Sequence, residues 1–481
     1  MSGWEMVVGL EVHARLQTST KAFCSCENRF GAEPNTLVCP VCLGLPGALP
    51  VLSGEVVRLA ATMALATECK VHQSSIFSRK NYFYPDLPKG YQITQFDRPI
   101  ATGGALTISV GGDRRTVGLT RIHIEEDAGK LIHDPQIAGD DSSLVDLNRA
   151  GVPLIEIVSE PDMRSSEEAV AYLTRLRQIL MYTGVCDGNM EEGSLRADAN
   201  VSVRREGEPL GTRAEVKNLN SFRFLARAIE FERERQIEIL ESGGVISQET
   251  RLFDPQAGET RSMRSKEEAH DYRYFPEPDL LPLELSASFI SEVEASLPSL
   301  PGQRVSRYID QLGLDLETAE TIVAERSVAD FFEKAVQVGT SDSKQIANWV
   351  RNDLLRVLNE SSRTISELAI TPEGLARLVG LIEKGTISGK IAKEIFAEMI
   401  ESGGDPASIV DRKGLSQITD PEEIRAVART ILSENRSQAE AFRNGKSALM
   451  GFFIGQLMKK TSGRANPELA KSIFDEELGK N

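Results

Sequence analysis

Polar and apolar residues alternate in several segments of the first 300 residues of this 481-residue chain. In Leu10–Leu16 the alternation places Glu11, His13 and Arg15 on one face of a strand. The same alternation occurs in three further segments, Arg121–Glu125, Asp198–Val203 and Arg213–Lys217. Strands with this pattern form antiparallel sheets that have one dry face and one polar face. The pattern therefore predicts an antiparallel sheet in the first part of the chain.

Helical patterns interrupt these strands at two places. Ser165 and Glu168 have the spacing of a capping box and precede an apolar stripe with helical periodicity. A second helix is predicted over 221–242, where Gly243–Gly244 ends it. Two helices among alternating strands indicate a mixed sheet-and-helix domain.

Beyond the proline-bearing stretch Leu297–Pro301, strand signals end. Helical patterns follow, for example over 344–358 and 374–384, and the stretch Ser402–Pro406 has the composition of a linker. The sequence thus predicts an α+β protein of three domains: a sheet domain over 1–295, a helical domain over 296–404 and a helical tail domain over 405–481.

The formal net charge of −16 at first argues against nucleic acid as a partner. The charge is unevenly distributed, because residues 1–300 carry −13, residues 301–350 carry −3 and residues 351–481 sum to zero. The neutral tail contains a locally basic cluster, formed by Arg443, Lys446, Lys459, Lys460, Arg464 and Lys471. Such a cluster is either a solvated surface or a surface that contacts phosphates.

No apolar run approaches the length of about 18 residues that a membrane span requires. The N-terminal residues Met1–Glu5 lack the basic-then-apolar pattern of a signal peptide. We therefore expect a cytoplasmic protein that does not insert into a membrane.

Four of the six cysteines form two closely spaced pairs, Cys24 with Cys26 and Cys39 with Cys42. Without an export signal disulfides are disfavoured, and paired thiolates suit a tetrahedral structural zinc site. The single residue between Cys24 and Cys26 is shorter than the usual zinc spacing, so reduced structural thiols remain the alternative. Cys69 and Cys186 are isolated and are predicted to be buried as apolar residues.

Carboxylates concentrate on the predicted strands and at their ends, at Glu11, Glu125, Glu126, Asp127, Glu191, Glu192, Asp198 and Glu215. Clustered carboxylates repel one another unless a cation neutralises them, and Mg²⁺ prefers oxygen ligands. A nucleotide–magnesium site is one interpretation, and an acidic solvated surface is the other. Phosphate contacts in the first interpretation would come from Arg79, Lys80, Lys89, Arg196 and Lys217.

Glycine-rich phosphate loops are absent from the sequence. Gly445–Ser447 resembles the end of a Walker A motif, but Glu440 stands where the first glycine belongs. If the chain binds ATP, it does so through the carboxylate-bearing sheet.

Long sequence motifs make the interpretation specific. They are Gly9–His13, Lys80–Asp86, Asp146–Glu156, Met190–Arg196, Lys217–Phe222, Asp271–Asp279, Gly451–Lys459 and Gly463–Pro467. Together they resemble, over the whole length, the family of aspartyl/glutamyl-tRNA amidotransferase B subunits. The resemblance implies an antiparallel cradle domain that is similar to the glutamine synthetase and guanidino kinase fold.

The resemblance also implies a reaction. Members of this family take part in converting Glu-tRNA(Gln) to Gln-tRNA(Gln) and, in many organisms, Asp-tRNA(Asn) to Asn-tRNA(Asn). ATP phosphorylates the side-chain carboxylate, and ammonia displaces the phosphate. The ammonia comes from glutamine that is hydrolysed on a partner amidase (glutaminase), and a small third protein completes a heterotrimer.

The matching positions carry the family's site residues onto this chain. The resemblance implies magnesium ligation by Glu11, His13 and Glu126, with Glu125 adjacent and Glu215 as a further active-site acid. Lys80 falls at the phosphate-site lysine, and Arg196 and Lys217 are the other predicted nucleotide contacts. The four cysteines match the members that keep a zinc loop, here 24–42. In the tail, tRNA contacts are expected at Arg443, Lys446, Lys459, Lys460 and Arg464.

The chain lacks a recognisable glutaminase motif, so it would depend on a partner for ammonia.

Two other functions compete with this interpretation. A non-catalytic tRNA-binding scaffold would have the same tail with an inactive carboxylate face. A free-standing ligase for small amino acids, resembling glutamine synthetase, would act without tRNA.

Overall fold

The computed structural model describes residues 3–133, 142–265, 272–339, 341–418, 420–461 and 463–479. Asp271, the first residue of one quoted motif, lies outside these ranges. The chain divides into two compact units, Met1–Gly302 and Gln303–Asn481.

The first unit is built around strands. Among the described residues these are β1 (Trp4–Arg15), β2 (Lys70–Val71), β3 (Ser74–Ser75), β4 (Ser78–Asn81), β5 (Tyr91–Thr94), β6 (Ala101–Thr102), β7 (Ala105–Val110), β8 (Asp113–Glu126), β9 (Lys130–Ile132), β10 (Leu144–Asp146), β11 (Pro153–Ser159), β12 (Leu195–Arg205), β13 (Ala214–Lys217), β14 (Glu249–Asp254), β15 (Glu259–Ser265), β16 (Phe275–Pro276) and β17 (Leu283–Glu284). The helices described in this unit are α1 (Gly54–Ala66), α2 (Ser166–Thr183), α3 (Phe222–Glu241) and α4 (Ala287–Ala295).

Most of the strands form one large sheet in the order β15-β14-β13-β12-β1-β11-β8-β5-β4-β16. Its pairings are antiparallel, as predicted, with one exception: β13 and β14 are parallel. Parallel neighbours require a crossover connection, and α3 lies in the chain between these two strands. The sequence pattern alone did not distinguish this crossover from a hairpin.

One face of the sheet is apolar and packs against helices. On β1 the fully buried side chains are Val8, Leu10, Val12 and Ala14, and they share a core with apolar residues of α1, α2 and α3. The polar residues that alternate with Leu10, Val12 and Ala14 are only partly buried; they are Glu11, His13 and Arg15. The alternation predicted from the sequence therefore separates a helix-covered face from a polar face.

Both predicted helices of this unit are confirmed. Ser165 caps α2 by accepting a hydrogen bond from the Glu168 backbone NH at 3.1 Å, and Gly184 ends the helix in a left-handed conformation. The Glu168 carboxylate departs from the capping box, because it accepts from the Arg164 backbone NH instead. Ser221 caps α3 in the same way.

Helices make up the second unit. The first of them begins at Pro301, next to the unit boundary. The described helices are α5 (Pro301–Leu312), α6 (Leu316–Val323), α7 (Arg326–Gln337), α8 (Ser343–Trp349), α9 (Leu355–Ser361), α10 (Pro372–Glu383), α11 (Gly389–Ser402), α12 (Pro406–Lys413), α13 (Pro421–Glu434), α14 (Arg436–Arg443), α15 (Met450–Lys460) and α16 (Pro467–Gly479). A π-turn, Val350–Leu354, joins α8 to α9. Within the described ranges, no helix is long and apolar enough to cross a membrane.

The last four helices share a small core of their own, in which Ile424, Phe453 and Phe474 are completely buried. Helix α12, just after the predicted boundary at 404, packs against α10 and α11.

The predicted α+β class, with a large sheet followed by helices, is confirmed. The division into three domains, with its two boundaries, stays a prediction, as does the likeness to the glutamine synthetase fold.

Candidate active site

The polar face of the sheet gathers charged residues from three adjacent strands. His13 on β1 is paired in register with Glu156 on β11, and Glu156 is paired with His123 on β8. Directly opposed residues of neighbouring strands project to the same face. Glu125, two residues after His123, therefore joins them there.

Distances show that these four residues form one cluster. The Nε2 atom of His13 lies 3.3 Å from Glu125 Oε1 and 3.4 Å from Glu156 Oε2. The Nε2 atom of His123 lies 3.3 Å from Glu156 Oε2 and 3.7 Å from Glu125 Oε2. Ligand atoms of His13, Glu125 and Glu156 all lie within 4.8 Å of one another. The spacing allows all three residues to bind a single cation.

Charges inside the cluster compensate one another. Burial alone would lower the pKa of His13, but its hydrogen bonds to Glu125 and Glu156 outweigh this effect and raise it to about 10. Burial opposes ionisation of the two carboxyls, yet the neighbouring histidines hold the pKa of Glu125 and the pKa of Glu156 well below their usual range. Without a metal ion, a proton on His13 therefore neutralises the two ionised carboxylates. A divalent cation would take over that role once His13 released its proton, because only a neutral imidazole can bind a metal.

Further along the same face, β12 and β13 contribute a second group. The Lys217 ammonium lies 2.7 Å from Asp198 Oδ2 and 3.1 Å from Glu215 Oε1. Glu11 accepts a hydrogen bond of 2.9 Å from the Asn200 amide. Glu11, Glu215 and Lys217, all predicted from the sequence, therefore share the polar face but lie beside the His13 cluster rather than in it.

The remaining predicted nucleotide contacts have different surroundings. Arg196 pairs with Asp127 at 3.0 Å. Lys80 on β4 has no carboxylate partner among the described residues, and its ammonium lies 4.7 Å from the centroid of the Tyr272 ring. Of the two cations, Lys80 has its charge available for an incoming anion.

Glu126 has different partners from Glu125. Consecutive strand residues face opposite sides, and the Glu126 carboxylate pairs with Lys89 and accepts a hydrogen bond of 2.9 Å from the Ile93 backbone NH. A magnesium ligand at this position stays a prediction. The cluster itself contains Glu125, which the resemblance placed only adjacent to the ligands.

Glu156 and His123 were missed as site residues. Both were visible in the sequence, because each is a polar residue flanked by apolar ones in a strand-like segment. Their assignment required the pairing of β11 with β1 and β8, which brings together residues more than 30 positions apart in the chain.

The four cysteines of the predicted zinc loop converge. Their Sγ atoms all lie within 4.8 Å of one another, and those of Cys39 and Cys42 are 3.9 Å apart. Zinc–sulfur bonds of about 2.3 Å in a tetrahedron put the sulfurs about 3.8 Å apart, so the donor set fits zinc. All six cysteines are free, and the predicted burial of Cys69 and Cys186 is confirmed.

Charge within the cysteine cluster also favours a cation. A hydrogen bond from the Cys24 thiol, together with the charge of Lys21, outweighs burial and lowers the pKa of Cys42 to about 4. Burial raises the pKa of Cys26 to about 11. The buried Lys21 ammonium donates a hydrogen bond of 2.7 Å to the Leu37 carbonyl. This bond connects the cysteine loop to the segment that follows β1. Cys42 is therefore the cysteine that ionises most readily, and a thiolate is the form of cysteine that binds a metal.

A cavity of about 240 Å³ is lined both by residues of the cysteine loop and by residues of the neighbouring sheet strands. Cys24 and Cys42 belong to the first group, and Glu126 belongs to the second. The cysteine loop thus shapes the space next to the strand that carries Glu125.

Tail cations fall into two groups. Arg443 donates to the Leu478 carbonyl at 3.1 Å, Arg464 donates to the Thr461 carbonyl at 3.3 Å, and Lys460 pairs with Glu434 at 2.7 Å. Lys446 and Lys459 are exposed and have no partner in the part of the chain that the structure describes. Of these five cations, only Lys460 is neutralised by a carboxylate of the described residues, and Lys446 and Lys459 are the two without a described side-chain partner. Contact with tRNA stays a prediction for all five.

Comparison with known proteins agrees with this architecture. The model of the GatB/GatE catalytic domain matches residues 6–291, and the model of the GatB domain matches residues 330–478. The chain belongs to the GatB family. The resemblance inferred from the sequence motifs is thereby confirmed.

Relatives of this GatB-family chain match it from end to end. A protein of Geotalea daltonii is 54% identical over 476 residues, which cover 99% of both chains. One of Solidesulfovibrio magneticus is 55% identical over 480 residues, covering 100% of both, and one of Persephonella marina is 52% identical over 476 residues, 99% of both. All three are named as the B subunit of aspartyl/glutamyl-tRNA(Asn/Gln) amidotransferase.

Proposed function

We propose that this chain is the B subunit of a tRNA-dependent amidotransferase, an ATP-dependent carbon–nitrogen ligase with glutamine as amide donor. It converts Glu-tRNA(Gln) to Gln-tRNA(Gln), and Asp-tRNA(Asn) to Asn-tRNA(Asn). The observation that carries the proposal is the match over the full length to relatives of that name at 52–55% identity. The carboxylate–histidine cluster on the sheet supports a phosphoryl-transfer site.

The chemistry requires activation because a carboxylate has no leaving group for an amine to displace. A side-chain carboxylate oxygen of the substrate attacks the γ-phosphorus of ATP, ADP leaves, and an acyl phosphate forms. Ammonia then attacks the acyl carbon, phosphate leaves with the electron pair of the C–O bond, and the nitrogen loses a proton to give the amide. Catalysis of both steps consists mainly of positioning and charge neutralisation.

The residues of the polar face suit these tasks. His13, Glu125 and Glu156 would hold Mg²⁺, because two carboxylates and one imidazole present their ligand atoms within 4.8 Å of one another. When bound there, Mg²⁺ neutralises the phosphate oxygens. Lys80, which no described carboxylate neutralises, orients the transferred phosphoryl group. Glu11 and Glu215 fix the neighbouring polar groups, among them Asn200 and Lys217.

Other parts of the complex follow from the same proposal. Ammonia comes from glutamine hydrolysed on a partner amidase (glutaminase), and a small third protein completes the heterotrimer. The four cysteines hold a structural zinc ion. The complex works in the cytoplasm, where its tRNA substrates are used.

A transamidation assay of the reconstituted complex tests the proposal. With Mg²⁺, ATP, glutamine and misacylated tRNA, we expect Gln-tRNA(Gln) and Asn-tRNA(Asn) to form from both substrates. An assembled complex that binds tRNA but never consumes ATP would identify a scaffold instead. Amide formation that survives ribonuclease treatment would identify a ligase for free amino acids.

The tail provides a separate prediction. Replacing Lys446 and Lys459 together by Ala weakens tRNA binding about tenfold and lowers the slope of log affinity against log salt by about two, because each lysine neutralises one phosphate. Filter binding over a salt series measures both. Lys334→Ala, an exposed lysine of α7, is the matched control and leaves the slope unchanged. An unchanged slope in the double variant would contradict a phosphate contact at these lysines.

A further inference from the structure

Cations near the His13 cluster are mostly neutralised already. Lys89 pairs with Glu126, and Lys217 pairs with Asp198. Arg121 on β8 differs from them. Its Nε–H donates to Nδ1 of His123 at 3.4 Å, and no carboxylate of the described residues pairs with its guanidinium. Arg121 therefore lies next to the cluster, half-buried, with donors left for an anion.

A pair of aromatic rings lies on the same side of the sheet. Phe96 and Tyr274 stack with centroids 4.1 Å apart and planes inclined by 4°. Tyr274 covers one side of the Phe96 ring, yet 42% of Phe96 remains exposed. An aromatic ring that is stacked on a second ring and still partly exposed offers a stacking surface for another ring.

Strand pairing places this ring pair beside the cluster. Phe96 is two residues past Thr94, which is paired in register with Glu125 and donates to its carboxylate at 3.4 Å. Burial raises the pKa of Tyr274, the charges of Glu125 and Glu156 raise it further, and Arg121 opposes them. The phenol thus lies within the electrostatic reach of all three residues.

We propose that Arg121 and the Phe96–Tyr274 pair complete the ATP site: the exposed part of the Phe96 ring stacks on the adenine, and the Arg121 guanidinium binds phosphate oxygens. The inference rests on the proposed function and adds residues that the sequence did not single out. Guanidinium donors match phosphate oxygens bidentately, and purines stack on aromatic rings. Lys80 and Arg121, both without a carboxylate partner among the described residues, would then hold the phosphates beside the metal-binding cluster.

The test uses the assembled amidotransferase and varies ATP at saturating Glu-tRNA(Gln). Phe96→Leu raises the KM for ATP about tenfold, because stacking is lost, whereas Phe96→Tyr retains a ring and a near-normal KM. Arg121→Ala raises the KM for ATP about 30-fold, and Arg121→Lys recovers part of the loss. Arg114→Ala, an exposed arginine of the same strand, is the control.

Inorganic tripolyphosphate, used as a competitive inhibitor, separates the two roles. Phe96→Leu leaves its inhibition constant unchanged, because tripolyphosphate has no base, and Arg121→Ala raises that constant. If Phe96→Leu instead raises only the KM for Glu-tRNA(Gln), the ring binds the terminal adenosine of the tRNA and the ATP assignment is overturned. If Phe96→Leu lowers thermal stability and changes no KM, the ring pair only packs residues 272–277 on the sheet, and the proposal also fails. A wild-type complex that never consumes ATP would refute the proposed function itself.

Discussion

Replacing Glu125 by Gln in the assembled complex lowers ATP-dependent phosphorylation of Glu-tRNA(Gln) by more than about 100-fold, because even residues that only support metal ligands cost about 10–100-fold. The Glu125 carboxylate lies 3.3 Å from His13 Nε2 and 3.7 Å from His123 Nε2. Its negative charge therefore serves to bind the cation and to orient both imidazole rings. Single-turnover formation of ADP measures the step. Glutaminase activity of the partner amidase reports that the complex is intact.

Glu126→Gln provides the informative comparison. The substitution leaves the Lys89 ammonium, whose side chain is only 10% exposed, without its counter-charge, so we expect the sheet unit to lose about 3 kcal/mol of stability. If Glu126→Gln instead abolishes phosphorylation at full stability, then Glu126 is the magnesium ligand and the cluster around Glu125 is not the metal site. Glu206→Gln, at an exposed carboxylate of the turn that follows β12, controls for the change in net charge.

Replacing Cys42 by Ser removes the zinc and lowers the free energy of unfolding by more than about 3 kcal/mol, since loss of a metal is among the largest single-site effects. The loop cannot replace the metal with a core of its own, because Phe30 is 58% exposed and Leu45 is 48% exposed. Metal analysis of the purified chain is expected to give one zinc per wild-type chain and less than about a tenth of that in the variant.

Cys69→Ala is the matched control for Cys42→Ser. Cys69 is buried in the core, where its thiol donates to the Gly103 carbonyl at 2.7 Å, so its loss costs about 1 kcal/mol but leaves zinc bound. Absence of zinc from both the wild-type chain and Cys69→Ala would show that the four cysteines are reduced structural thiols, which was the alternative left open by the sequence.

Much of the site was predictable because strand alternation is a local property. The pattern of Arg121–Glu125 already places His123 and Glu125 on one face and Glu126 on the other. The motif match assigned Glu126 as a ligand with Glu125 adjacent, whereas Glu125 is the one that shares a face with His123. The helix caps at Ser165 and Ser221 were equally local, since each depends on residues three positions apart.

The sequence by itself determined the family, the α+β class, the sheet with its polar face and the four-cysteine group, because motifs, periodicity and short spacings are written along the chain. Only the tertiary structure decided which polar residues act together. The register of β11 against β1 and β8 put Glu156 between His13 and His123, and chain folding stacked Tyr274 on Phe96. The tertiary structure also showed that three of the predicted tail cations, Arg443, Lys460 and Arg464, make contacts within the tail. Contacts of this kind depend on pairings between distant segments, which no local pattern encodes.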